Sequence, residues 1–170
     1  MNLDLQGKTA LVCGSTQGIG KAAATELSAM GAKVVLLARN EEKLKTVSAA
    51  IGNGCEYLVA DFSKPEEVKA VVTNYVATNP IHILINNTGG PPGGPVADAK
   101  EEEFYSAFTN HLINNHNLVA AVKQSMIDGG YGRIINVIST SVKIPLTGLG
   151  VSNTIRGAVA NWSKTLANEL

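Results

Sequence analysis

Short apolar runs and helical periods alternate along the whole chain. Thr9-Ala10-Leu11-Val12-Cys13 is apolar and stopped by Gly14, which predicts a buried strand. Ile19, Ala23, Leu27 and Met30 then recur at spacings of 4, 4 and 3, one face of a helix that Gly31 closes. Val34-Val35-Leu36-Leu37 is a second strand, and Leu44, Val47 and Ile51 mark a second helix ended by Gly52-Asn53-Gly54. Tyr57-Leu58-Val59-Ala60 predicts a third strand. Pro65, Glu66 and Glu67 suit the first turn of a helix whose apolar face is Val68, Val71, Val72 and Tyr75. Ile81-His82-Ile83-Leu84-Ile85 reads as a fourth strand, and residues 89–95, Gly-Gly-Pro-Pro-Gly-Gly-Pro, as a loop. One helical stretch is expected from about 100 to 127, a fifth strand over 133–138, and a last helix carrying Ile155, Val159, Trp162, Leu166 and Leu170.

Strands that are apolar on both faces and separated by helices imply a parallel sheet covered on both sides. Right-handed crossovers make it a doubly wound, Rossmann-like α/β sheet of strand order 3-2-1-4-5. The chain reads as a single domain over residues 1–170. It stops at Leu170 inside an apolar helical pattern, so it is expected to be C-terminally incomplete, cut before a sixth strand.

Composition narrows the functions. The 14 basic and 14 acidic residues cancel, which argues against a nucleic-acid footprint. The two cysteines, Cys13 and Cys55, make no disulfide framework, and the three scattered histidines make no metal site. No apolar run is long enough to span a bilayer and no secretory leader is evident, so a cytoplasmic protein is expected.

Chemistry concentrates after the first strand. Gly14, Ser15, Thr16, Gln17, Gly18, Ile19 and Gly20 lie between a strand and a helix. The first glycine permits a tight turn, the second lets backbone approach a pyrophosphate, and the third lets helix and strand pack closely. The helix N-terminus then offers N–H groups and positive potential to phosphates. At the end of the second strand, where preference for NAD would require an acid, the chain has Arg39. Its guanidinium suits the 2′-phosphate of NADP(H), which is therefore preferred over NAD(H).

The Gly-xxx-Gly-x-Gly spacing resembles the short-chain dehydrogenase/reductase family. Asn86-Asn87-Thr88-Gly89 is similar to that family's Asn-Asn-Ala-Gly element, and residues 132–139 resemble its fifth strand leading to a catalytic serine. The resemblance implies an NAD(P)-dependent oxidoreductase acting on a small carbonyl or alcohol substrate as a homo-dimer or homo-tetramer, with chains of roughly 250 residues. It implies cofactor contacts at Asp61 with Phe62, at Asn87, Thr88 and Gly89, and at Arg156 on the ribose. The oligomer is expected to use the helices around 104–127 and 150–170, with Val159, Trp162 and Leu166 as an apolar face.

The catalytic positions depart from the family. Ser139 stands at the serine position, but Ser152 replaces the family's tyrosine, Arg156 its lysine, and His111 its helix asparagine. Serine is too weak an acid to replace a tyrosine, and arginine does not give up a proton. His111 is an acid candidate if it faces the nicotinamide. Together with the Gly-Pro loop, Ser152-Asn153-Thr154-Ile155-Arg156 resembles a divergent, 3-oxoacyl-carrier-protein-reductase-like subgroup. Asn153 and Arg156 lie on one helical face, serving either one ligand or a structural hydrogen-bond pair. Two functions follow: an NADPH-linked carbonyl reductase with altered acid chemistry, or a nucleotide-binding sensor or partner subunit with impaired turnover.

Overall fold

The computed structural model describes residues 3–170. Five strands, β1 (Thr9–Cys13), β2 (Lys33–Ala38), β3 (Glu56–Val59), β4 (Ile83–Asn86) and β5 (Arg133–Asn136), form one sheet. All pairs are parallel and the order is β3-β2-β1-β4-β5, as the alternation of the sequence requires. Six helices flank it: α1 (Gly18–Ala29), α2 (Glu41–Ile51), α3 (Pro65–Val76), α4 (Glu101–Phe108), α5 (Asn114–Asp128) and α6 (Gly150–Glu169).

Strand side chains alternate between two cores. Ala10, Val12, Val34, Leu36, Ile83 and Ile85 pack with Ala24 of α1 and Leu44 and Val47 of α2. Leu11, Val35, Leu37 and Leu84 point the other way, onto Val68 and Val72 of α3 and Leu118 and Val122 of α5. The central strands are therefore dry on both faces, which parallel pairing demands. The edge strands differ from expectation. Glu56 and Val59 of β3 and Ile135 of β5 are exposed, because an edge has a neighbour on one side only.

Four other boundaries moved. β4 begins at Ile83, although the His82 N–H already donates to the Thr9 carbonyl at 2.9 Å, and its Nδ1 accepts the Thr9 N–H at 3.0 Å. That bond also gives His82 a structural role. β5 ends at Asn136, and the chain then turns through Val137 to Ser139. α6 starts at Gly150, five residues before its first periodic apolar position. The stretch 100–127 is two helices joined by a π-helical turn at Thr109–Ile113.

The apolar stripe of α6 faces inward. Val159 is buried, and Trp162 and Leu166 pack on the core beneath α3 and α5. Trp162 and Leu166 are only partly buried by these contacts. The large side chains left outside on α4 are Tyr105 and Phe108.

Candidate active site

The chain leaves β1 for β2 and β3 on one side, then returns to β4 on the other. At such a reversal the loops after neighbouring strands diverge and leave a crevice at the carboxyl edge. A cavity of about 590 Å³ lies there. Its wall takes residues from the ends of β1, β2, β3 and β4 and from the π-turn.

Gly14 and Gly18 have φ of 57° and 55°, a left-handed backbone that side chains rarely adopt. Nothing stands within 4 Å of a methyl built on Gly18, which borders the open cavity. Gly20 is tight for another reason: a methyl there would meet the Gly14 carbonyl oxygen at 2.3 Å. Asn87 fastens this loop, its Nδ2 donating to the carbonyls of Cys13 and Gly14 at 3.3 and 3.4 Å. α1 begins with no side-chain cap and no acid in its first turn, so its N–H groups and dipole are available to an anion. The loop thus fits a dinucleotide pyrophosphate. We expect Gly20→Ala to lower unfolding stability by at least about 1 kcal/mol in urea titration, because the obstacle is backbone and cannot rotate away. A change within the ~0.5 kcal/mol of an ordinary surface substitution would show that the loop yields.

Thr16, Gln17, Arg39, Asp61, Phe62, Thr88 and Gly89 also line the cavity. Ser15 and Ile19 do not. Ser15 is buried with its hydroxyl toward the Leu37 carbonyl, and Ile19 is exposed. Asp61 accepts from the Ser63 N–H at 2.9 Å, and this bond, helped by the charges of Arg39 and Lys64, holds its carboxyl below the usual range. It is ionised at neutral pH. Asn114 Nδ2 donates to the Phe62 carbonyl at 2.7 Å, tying this loop to α5.

The wall adds residues that sequence reading did not single out: Ala38, Asn40, Lys43, Ser63, Gly90 and Asn110. Lys43 matters most. Asn40 caps α2 by accepting the Lys43 N–H at 2.9 Å, which fixes the start of α2 directly after β2. Lys43 therefore joins Arg39, and among the described residues neither is in a salt bridge. The signal was the Asn-x-x-Lys spacing at a helix start, four residues after Arg39. Asn110 was masked by the π-turn, whose extra residue changes which side chain faces the crevice.

None of the expected catalytic side chains, His111, Ser139, Ser152 and Arg156, lines this cavity. His111 is 2% exposed, and its Nε2 has no partner. Burial, with the positive charge of Arg156, pulls its pKa down to about 4, so it is neutral at pH 7. Ser139 begins the turn Thr140–Val142, its Oγ accepting the Ser141 N–H at 3.1 Å. Ser152 is half-buried on α6, one turn before Arg156. Arg156 Nη1 donates to the Val137 carbonyl at 2.8 Å, and Asn153 Nδ2 to the Leu146 carbonyl at 2.9 Å. The two do not pair with each other; each ties α6 to a different loop. None of the four tyrosines lines the cavity. Cys13 is fully buried and its thiol is pushed up to about 12, so it is no nucleophile.

The family model for short chain dehydrogenases matches residues 8–170, nearly the whole chain. The chain belongs to this family of oxidoreductases. It is 33% identical over 167 residues to the 3-oxoacyl-[acyl-carrier-protein] reductase of Haemophilus influenzae, covering 98% of this chain and 69% of that protein. It is 34% identical to hydroxysteroid dehydrogenase-like protein 1 of Gallus gallus, covering 96% of this chain and 51% of the relative. Among solved structures, L-sorbose reductase from Gluconobacter frateurii, complexed with NADPH and L-sorbose, superposes with a TM-score of 0.92 at 29% identity, covering 99% of this chain and 66% of that one. A metagenomic short-chain oxidoreductase in complex with NADP gives 0.90 at 32% identity, covering 98% and 77%. Among the described residues no helix is long and apolar enough to cross a membrane, and no three His, Cys, Asp or Glu side chains are grouped to hold a metal.

Proposed function

We propose that this chain is the cofactor-binding body of an oxidoreductase that reduces a carbonyl substrate with NADPH. The observation that carries the reading is the pair Arg39 and Lys43 at the β2 end of the cavity, two cations with no salt bridge where an acid would select NAD. Two cations suit a dianionic 2′-phosphate and have no use for a ribose hydroxyl. In this reading the first turn of α1 holds the pyrophosphate, with Gly14, Gly18 and Gly20 keeping the approach clear. Asp61 and Phe62 border the adenine. Asn87, Thr88 and Gly89 flank the ribose next to β4. The nicotinamide supplies the hydride when the cofactor is bound. Ser139 orients the substrate oxygen, and Ser152, His111 and Arg156 surround it. The Haemophilus relative points to a 3-oxoacyl-like substrate, and the reading carries with it a cytoplasmic homo-oligomer, which light scattering at micromolar concentration tests.

NADPH and NADH fluorescence titrations test the cofactor. NADPH is expected to bind at least about tenfold tighter, the worth of one charge-assisted contact, and Arg39→Asp is expected to erase the preference. Equal affinities in the unaltered protein would remove Arg39 and Lys43 from the argument.

A second reading, a nucleotide-binding sensor or partner subunit, has its own support. No tyrosine lines the cavity, and the histidine beside it is neutral at pH 7. NADPH consumption against a panel of ketones separates the two readings.

A further inference from the structure

Arg156 is a cation that the fold does not neutralise. Among the described residues it forms no salt bridge, and its one hydrogen bond runs to the Val137 carbonyl. A guanidinium has five N–H donors, so four remain unused. The side chain is half-buried, where a charge without an anion costs stability.

Its position is specific. Nη2 faces Gly90 in the Gly-Pro loop: a methyl on Gly90 would stand 4.0 Å from it, and Gly90 lines the cavity. That loop is zipped to the start of α6, Gly94 N–H donating to the Gly148 carbonyl at 2.7 Å and Gly150 N–H to the Gly94 carbonyl at 3.0 Å, so the approach is fixed by backbone. On its other side Arg156 is tied to Val137, two residues before Ser139. Three buried polar atoms in the surrounding turns also lack partners, Oδ1 of Asn110, Nε2 of His111 and Oγ of Ser141.

We propose that Arg156 holds a carboxylate of the substrate, so that the site selects an oxo- or hydroxycarboxylate over a neutral ketone or alcohol. The proposal rests on reading the cavity as the cofactor site. The cofactor's anionic groups have partners elsewhere in it, the first turn of α1 and the Arg39–Lys43 pair, so an anion at Arg156 comes from a different molecule. Ribose hydroxyls carry no charge to match a guanidinium, whereas a carboxylate matches its planar fork with two parallel bonds. The carboxylate sits between the Gly-Pro loop and the turn that carries Ser139, which places it next to the reacting carbonyl.

Calorimetric titration of pyruvate and acetoacetate, each against its methyl ester, into the full chain saturated with NADP+ tests this. The acids are expected to bind at least about tenfold tighter than the esters, the worth of a hydrogen-bonded ion pair. Arg156→Gln is expected to bring acid and ester to the same affinity, and Arg156→Lys to keep part of the difference, with thermal unfolding confirming that each variant is folded. Should the glutamine variant fail to fold, the lysine variant decides, and an undiminished preference there overturns the proposal. So does equal binding of acid and ester to the unaltered protein, absence of acid binding, or a preference that survives in Arg156→Gln. Acid binding to the cofactor-free chain that added NADP+ then abolishes would assign Arg156 to the cofactor and equally overturn it. Separate titration of NADP+ alone keeps the two readings apart. Without NADP+ binding the cofactor reading fails, while an acid preference in the cofactor-free protein still supports the carboxylate site.

Discussion

Acidifying the protein from pH 7 to pH 4.5 is expected to cost about 2–3 kcal/mol more than the same change costs a His111→Asn variant. The sign follows from where the protons bind. In the unfolded chain His111 titrates near 6.5; in the folded protein burial first, and the charge of Arg156 second, hold it at about 4. Between those values the unfolded state binds the extra proton. Stability is therefore level above pH 6.5, falls as the pH drops toward 4, and levels again below. Glu56 and Asp61 are held low by their hydrogen bonds, and the stability they add is lost as the pH falls through the ordinary carboxylate range and below. They are present in both proteins, so the difference between variant and parent isolates His111. Urea unfolding at half-unit pH steps measures it. Parallel pH profiles would show that the imidazole charges freely in the folded state and that the π-turn is not a dry site. The same result bears on chemistry, since a histidine neutral down to pH 4 is no general acid near neutrality.

The fold was legible because each signal was redundant. Leu11 and Leu37 belong to short apolar runs bounded by glycine or by polar residues, and only a dry parallel sheet accepts such runs between amphipathic helices. What escaped was set by neighbours the local pattern does not contain. Nothing in residues 100–127 marks a π-turn, because the periodicity is apolar on both sides of it and the inserted residue shows only as a rotation of the face. The apolar stripe of α6 announces burial without naming the partner: Val159 is buried in this chain's own core, while Trp162 and Leu166 are only partly covered by it.

At the site, legibility followed backbone requirements. Gly14, Gly18 and Gly20 stand where their spacing put them, because a left-handed turn and a 2.3 Å conflict admit nothing else. Arg39 was found from its place at a strand end. Lys43 was not, because its place on the cavity wall depends on where α2 starts, which Asn40 sets by capping it. Arg156 was visible as a substitution for lysine. That no carboxylate accompanies it is a property of the assembled fold, and a lone guanidinium means something different from a paired one.

Restoring the family residues as a pair, Ser152→Tyr with Arg156→Lys, is expected to raise the NADPH-dependent reduction of a reactive neutral ketone by about 10²–10⁴, or 3–5 kcal/mol of barrier. The two positions lie one turn apart on the same side of α6, and the second is anchored two residues from Ser139. Ser152 is half-buried and Arg156 uses one donor on the Val137 carbonyl, so what the site lacks in the reductase reading is a proton donor of suitable strength. A serine hydroxyl cannot release its proton near neutrality, a guanidinium does not release one at all, and His111 carries none to give. A tyrosine beside a cation supplies it, because the positive charge stabilises the phenolate left behind. Ser152→Tyr alone, with Arg156 in place, is expected to recover part of the gain, since the arginine still provides that charge. A neutral ketone is the right substrate for this measurement, because removing the guanidinium would penalise a carboxylate through binding and hide the gain in chemistry. No increase in the double variant, with NADPH affinity retained, would show that proton supply does not limit the reaction. A large loss in Ser152→Ala would show that the serine already moves the proton, through water, and that the site is complete as it stands.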